Sequence, residues 1–282
     1  MKIVKKNLKC TVCDGDAIFY NNLQEVTLYY CENCKHFFTD INSIKNKENY
    51  SQEYFKDRHP NWFKNPNFQL FDYIFNQIKL ANSNNLSILD TGCGDGNLLR
   101  YIYQKSQNFK LTGIDYKKNS DEKGIKYLCG DIFDTELGEQ FDVIISVAVI
   151  EHIWDVQTYM KRLSMLCKEG GLIITMTPNN SSLLYGFARA IYKLGIKAPM
   201  EGLYDKHHLN HFSQNSLEYL CKNNSLEVIE NNITQFNIDS LSLPKANILM
   251  TVIYKLGLSA VFIFENFFGK KHMQTITLQK IK

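Results

Sequence analysis

The chain has little net charge. Its 282 residues carry 32 Lys and Arg against 29 Asp and Glu, a formal +3. That is too small to supply the basic footprint of a nucleic-acid surface. No export leader is expected either: MKIVKKNLKC brings charges but no apolar segment behind them. A cytoplasmic protein is expected. No long apolar run is free of charge either. The longest, Ala246–Phe268, is interrupted by Lys255 and Glu265 and divided by Gly257. A membrane span needs about 20 residues with few or no charges, so this run is expected to form buried or capping helices, with a membrane-touching surface as the alternative. What remains is an ordinary globular balance, 44% hydrophobic and 22% charged, long enough for one large domain and a small appendage.

Four of the eight cysteines are paired. Cys10-x2-Cys13 is followed, seventeen residues later, by Cys31-x2-Cys34. Each CxxC turn can present two thiolates to one ion, and four sulfurs in a tetrahedron are what structural zinc prefers. IFY and VTLYYC supply apolar strands for a hairpin that brings the turns together. Four protein ligands leave no open position, so such an ion holds the fold. Without an export signal a disulfide framework is disfavoured, and neither pair opens a helix as a redox pair does. His36, next to a completed sulfur set, is expected on the surface as a bystander. Residues 1–40 thus read as a small four-cysteine module.

Residues 41–85 read as a linker and helical cap. The stretch 39–67 is polar, broken by Pro60 and Pro66, and carries Tyr50, Tyr54, Phe55, Trp62 and Phe63. Leu70, Phe71, Ile74 and Ile78 then recur at helical spacing. From Leu86 the pattern alternates. Strands are predicted at 86–93, 109–115, 125–131, 141–149 and 170–179, with helices at 96–106 and 156–168 between them. Near-continuous apolar runs such as FDVIISVAV suit strands covered on both faces. The alternation implies a parallel, doubly wound α/β sheet, whose ligands bind at the carboxyl ends of its strands.

The first of these strands ends in LDTGCGDG. Gly92, Gly94 and Gly96 let backbone N–H groups approach a ligand closely. The dinucleotide fingerprint G-x-G-x-x-G is not met, because Asn97 stands where its third glycine belongs. Asp90 adds negative charge where a pyrophosphate would sit, and suits a cationic ligand better. Asp115, ending the second strand, can accept both hydroxyls of a ribose. Asp131, ending the third, can meet an adenine amine while Ile132 packs on the ring.

With ILDTGCGDG, GID, GDI, FDVIISVAVIEHI and KEGGLIITMTPN in view, residues 86–180 resemble a class I S-adenosylmethionine-dependent methyltransferase. The resemblance implies an α/β, Rossmann-like seven-stranded sheet with its last strand antiparallel, completed by strands at 226–236 and 272–282. It implies S-adenosylmethionine as cofactor, held by Asp90, Gly92, Cys93, Gly94, Gly96, Asn97, Asp115, Tyr116, Asp131, Ile132, Val147 and His152. The methyltransferase domain would span 86–282, with substrate-cap insertions at about 181–212 and 244–270. With the four-cysteine module and the H-x-x-x-F-S stretch, the whole chain is similar to bacterial methyltransferases acting on nucleotide-linked sugars and surface polysaccharides. The acceptor expected on that basis is a sugar, sugar nucleotide or related phosphorylated metabolite.

Three of the seven histidines fall within YDKHHLNHFS, Tyr204 to Ser213. Methylation of a hydroxyl requires a base, usually His near neutral pH. Candidates are His208 first, since the resembling sugar enzymes can use a His before FS as base, then His211 and His152, with Tyr204 as a positioning group. Alternatively the histidines only cap the next helix, and His152 only shapes the pocket. Asp205 is the one carboxylate nearby in sequence, which weighs against a catalytic metal. Arg189 and Lys193, one helical turn apart, could meet a phosphate but read first as a solvated face. A zinc-ribbon RNA methyltransferase is the main alternative, but an Asn/Asp-Pro-Pro-aromatic stretch is missing after the fourth strand and no Pro precedes a Cys. A non-catalytic cofactor-binding protein is the second alternative.

Overall fold

The computed structural model describes residues 8–44, 66–235 and 248–281, the last stretch with side chains from Tyr254 onward. The linker aromatics at 50–63 lie outside the described residues. Two sheets organise the chain. The N-terminal strands are β1 (Leu8–Lys9), β2 (Asp16–Asn22), β3 (Thr27–Cys31) and β4 (His36–Thr39). After α1 (Phe68–Ile78) come β5 (Ser87–Thr91), α2 (Asn97–Lys105), β6 (Lys110–Asp115), β7 (Ile125–Cys129) and β8 (Phe141–Val147). A short 3-10 turn, Ile150–His152, leads to α3 (Val156–Leu166) and β9 (Cys167–Pro178). Then follow α4 (Leu183–Tyr192), α5 (Ala198–Leu203), β10 (Asn210–His211), α6 (Gln214–Lys222), β11 (Leu226–Thr234), α7 (Ile248–Phe268) and β12 (Met273–Lys280).

The large sheet has the order β11-β12-β9-β8-β5-β6-β7. Strands β5 to β9 pair in parallel, and β12 runs antiparallel to both of its neighbours. This is the seven-stranded methyltransferase sheet with its last strand antiparallel. The order reverses between β5 and β8, which opens the crevice over their carboxyl ends. β8 explains its apolar run: Val143, Ile144 and Ile145 are fully buried, because helices cover both faces. Each such side chain contributes about 1.5–3 kcal/mol by leaving water. On one face α1 and α2 pack through Ile74, Ile78, Leu99 and Ile102. On the other, α3 and α6 pack through Tyr159, Leu163, Leu217 and Leu220.

Two expectations on element boundaries change. β9 begins at Cys167, before the glycines: its register against β8 shifts between Phe141 and Val143, and Gly170 takes φ +72° to carry the bulge. Gly257 does not divide the last apolar run, since 248–268 is one helix of 21 residues. A lone glycine costs a helix only about 1 kcal/mol.

The small sheet has the order β1-β2-β3-β4-β10. Its fifth strand comes from the histidine-rich stretch, with Asn210 opposite Phe38 and His211 opposite Phe37. Cys10, Val12, Tyr29 and Phe38 belong to the same buried cluster as Ile144, Leu163 and Phe212 of the main domain. The four-cysteine module is therefore docked through a shared core.

Candidate active site

The glycine loop is built by its backbone. Gly92 N and Cys93 N donate to the Ile114 carbonyl at 2.8 and 3.2 Å, and Gly94 N donates to Asp115 Oδ2 at 2.9 Å. Gly92 has φ +68°, and a Cβ there would lie 2.5 Å from Val149. Gly96 has φ +75° and would drive a Cβ into the Tyr127 ring. Both positions therefore need glycine. Beneath the loop, Tyr159 of α3 is fully buried and hydrogen-bonded to Thr91 Oγ1 at 2.8 Å and Ser146 Oγ at 2.9 Å. It ties the carboxyl ends of β5 and β8 together.

Asp90 is buried at the end of β5, one strand from Asp115. Burial, and then the charge of Asp115, push its carboxyl up to about 8. An anion so disfavoured is complemented by a cationic ligand. Asp115 Oδ1 also accepts from Lys117 N at 2.9 Å. Asp131 Oδ2 accepts from the Tyr116 hydroxyl at 2.6 Å, and its other oxygen accepts from Phe133 N. Ile132 is buried beside it. Asn97, at the start of α2, accepts from Arg100. Val147 ends β8, and Ala148 after it holds φ +54°, a conformation that costs a non-glycine residue of order 1–3 kcal/mol and clusters at functional sites. The expected cofactor residues thus gather along the carboxyl ends of β5 to β8, and their donor set fits a ligand with a cationic end, a ribose and an adenine.

The histidines divide into two groups. His152 donates Nδ1–H to the His207 carbonyl at 2.9 Å, which places its ring lone pair on Nε2. Its ring lies 4.8 Å from that of His208, edge to face. Burial, then His208, lower the His152 pKa. Behind His208, Asp205 accepts from the backbone N–H groups of His207 and His208 at 2.7 and 3.3 Å. Burial opposes its ionisation, but His208 and these hydrogen bonds hold its carboxyl down at about 2. His211 lies on the other side of His208, ring centroids 6.4 Å apart. It is buried in β10, 3.5 Å from Thr39 Oγ1 and with its ring 4.6 Å from Tyr204. Tyr204 is buried too, its hydroxyl shared between Arg189 and Asn180, and burial raises it to about 12. Ser213, not a histidine, caps α6.

Several residues escaped the sequence reading. Glu151 is buried and accepts from Thr177 Oγ1 at 2.9 Å, with burial raising its pKa. One ligand atom each from Glu151, His152 and His208 lie within 4.8 Å of one another. A second carboxylate beside His208 is thus supplied by the turn after β8. Arg189 is turned inward onto Asn180 and Tyr204 rather than solvated, while Lys193 is exposed. His36 is fully buried, against the expectation of a surface bystander. It donates Nε2–H to Asn210 Oδ1 at 2.9 Å, and burial lowers its pKa to about 4. Asn210 Oδ1 also accepts from Thr11, between the first two cysteines, and Asn210 Nδ2 donates to the Ile153 carbonyl. Leu209 N donates to Glu151 O at 2.8 Å, and Thr39 N donates to Leu209 O at 2.9 Å. The histidine loop is laced between the cysteine module and the turn that carries Glu151 and His152.

All four paired sulfurs lie within 4.8 Å of one another, with Cys10–Cys34 at 3.5 Å and Cys13–Cys31 at 3.4 Å. Zinc–sulfur bonds of 2.3 Å put tetrahedral sulfurs about 3.8 Å apart, so the set fits one ion. Val12 N and Asn33 Nδ2 donate to Cys10 and Cys13 sulfur, and the Cys34 hydrogen bond lowers the Cys10 thiol pKa. The other four cysteines lie outside this cluster.

Comparisons with known proteins agree with this geometry. A family model described as a methyltransferase domain matches residues 50–231. A ubiquinone biosynthesis O-methyltransferase of Rickettsia prowazekii is 32% identical over 178 residues, 55% of this chain and 69% of that protein. A malonyl-[acyl-carrier protein] O-methyltransferase of Priestia megaterium is 26% identical over 208 residues, 68% of this chain and 70% of that protein. Among solved structures, a Haloferax volcanii complex of the Trm112 activator with a methyltransferase gives a TM-score of 0.53 at 13% identity, covering 82% of this chain and 94% of that one; it shows the fold alone. The strand order, the acidic strand ends around the glycine loop and the family match agree: the chain belongs to the methyltransferase-domain family and is an S-adenosylmethionine-dependent methyltransferase.

Proposed function

We propose that the chain transfers the methyl group of S-adenosylmethionine to an oxygen of a small-molecule acceptor, with His208 taking the acceptor's proton. One observation carries this reading: His208 lies beside His152 in the turn after β8, with Asp205 accepting from its backbone N–H. The cofactor supplies a sulfonium-activated methyl, whose carbon–sulfur bond breaks as the carbon–oxygen bond forms. Asp90 holds the cationic end, Asp115 the ribose, and Asp131 with Ile132 the adenine. His208 accepts the hydroxyl proton, and Asp205 stabilises the resulting imidazolium. Methylation at oxygen is supported by the two relatives named above, both O-methyltransferases. Neither name specifies a sugar; the sugar or sugar nucleotide expected from the sequence is one small-molecule class among several. The four sulfurs are assigned to a structural zinc.

The test is incubation with methyl-labelled cofactor and a panel of sugar nucleotides, sugar phosphates, phenols and acyl carboxylates, read by mass spectrometry. With an acceptor in hand, His208→Ala is expected to lower kcat by roughly 10²–10⁴-fold and leave cofactor affinity unchanged. Near-normal turnover would move the base role to His152.

The Glu151, His152 and His208 cluster favours a second reading, in which a divalent ion on these three ligands grips the acceptor oxygen. Under the base mechanism, chelation that leaves the zinc content intact should not change turnover. A loss restored by added Mg²⁺ or Mn²⁺ selects the ion instead.

A further inference from the structure

Helix α7 is apolar on its inner and its outer face. Its rotation is fixed by Glu265, which is fully buried and accepts from His272 Nδ1 at 2.6 Å, Leu184 N at 3.2 Å and Gln235 Nε2 at 3.1 Å. Phe262 stacks on the His272 ring, centroids 4.5 Å apart. With that face pinned inward, Leu256, Ile263, Phe264, Phe267 and Phe268 point outward and are 57–81% exposed. Their spacing, i, i+7, i+8, i+11, i+12, is a single stripe of a helix. α4 packs against α7, with Leu183 N donating to the Lys270 carbonyl at 3.0 Å. It adds the exposed Phe187, and the turn after it adds Leu194 at 80% and Ile196 at 55%. Exposed apolar clusters of this kind mark interaction surfaces.

The charges on the same two stretches have one sign. Between 181–200 and 254–271 the only acidic residue is Glu265, which is buried. Lys193, Lys197 and Lys270 are exposed, and Lys271 is half-buried. No helix among the described residues is long and apolar enough to cross a membrane. An outward apolar stripe bordered by lysines is the pattern of a helix lying in a membrane interface. A second copy is a poorer occupant: two-fold pairing on this face would bring the same lysines toward each other. Anionic headgroups complement the lysines while acyl chains cover the phenylalanines.

We propose that the face formed by α4 and α7 docks the protein on an anionic lipid bilayer, lying in the interface without crossing it. This holds whatever the acceptor is.

The full chain is to be sedimented with vesicles of phosphatidylcholine alone and of phosphatidylcholine with about one third phosphatidylglycerol. Binding to the anionic vesicles is expected to exceed binding to the neutral ones by about tenfold or more, and to weaken as salt is raised. F264D/F267D, whose side chains are exposed, should lower that binding at least tenfold while cofactor affinity by calorimetry stays unchanged. Lys193→Glu with Lys270→Glu should remove the preference for anionic vesicles. The proposal is overturned if the wild-type chain stays in the supernatant with anionic vesicles. It is equally overturned if F264D/F267D binds them as wild type does, or if light scattering shows a dimer that F264D/F267D dissolves while vesicles are not bound.

Discussion

Cys10→Ser is expected to cut turnover by about 10²-fold or more while sparing the cofactor site. Cys10 is buried, and its sulfur lies 3.5 Å from that of Cys34 within the four-sulfur cluster. A weaker oxygen ligand in one corner of a tetrahedral zinc site removes much of the ion's affinity, and that affinity is folding free energy: about 10–16 kcal/mol for structural zinc in small domains. The consequence reaches the chemistry through β10. β4 pairs with Asn210 and His211, His36 holds the Asn210 side chain, and Thr39 N donates to the Leu209 carbonyl. Without the module, the loop carrying Asp205 and His208 loses its strand pairing and keeps its bonds to the 150–153 turn and, at its ends, to Asn180 and Gln274. The glycine loop hangs on β5 and β6 instead. The expected result is zinc loss by mass spectrometry and a fall in kcat of about 10²-fold or more, with cofactor affinity within about threefold of wild type. Asn210→Ala provides the control that keeps the sulfurs. It should retain zinc and still lose most of the turnover. Normal turnover in both variants would contradict the coupling.

Asp90→Asn should separate stability from function. In the free protein the buried Asp90 carboxyl is raised to about 8 from an ordinary 3.8. A folded state with a raised carboxyl pKa binds the proton more tightly than the unfolded chain does. The stability this proton lends is full below about pH 4 and is lost as the pH climbs toward 8. Asn cannot ionise, so the unliganded variant should match wild type near pH 4. Above pH 8 it should exceed wild type by on the order of 2 kcal/mol, visible as a higher Tm. Cofactor binding should move the other way, with a loss of about 100-fold or more, because the carboxylate that complements the cationic end is gone. For the wild-type chain the same linkage makes cofactor affinity rise with pH up to about 8, with a proton released on binding below it. A variant with unchanged affinity, or with lower stability at pH 9, would contradict this role for Asp90.

The placement of the candidate cofactor residues at the strand ends was legible because its determinants are local. A strand, a glycine loop and a helix lie within residues 87–105, and each later acid ends its own strand, so spacing along the chain translates into spacing in the crevice. The four cysteines were legible for the same reason, as two turns joined by a hairpin. The arrangement around the histidine loop, the candidate acceptor side, was not. Its core is the pairing of His36 with Asn210, 174 residues apart, through a two-residue strand with no periodicity to detect. Glu151 follows the predicted strand 141–149, and only the return of the loop at Leu209 places it beside His208. Arg189 shared its one-turn spacing with the exposed Lys193, and only the fold shows that it turns onto Asn180 and Tyr204. Helix α7 runs through Gly257 because one glycine is a small penalty against 21 residues of apolar helix.

Calorimetric titration of the full chain with S-adenosylmethionine at pH 7, in two buffers of different ionisation heat, tests the central claim most directly. One site per chain is expected, with a heat that differs between the buffers because Asp90 gives up its proton as the cationic ligand arrives. An absence of binding, or binding with no proton released, would contradict the account.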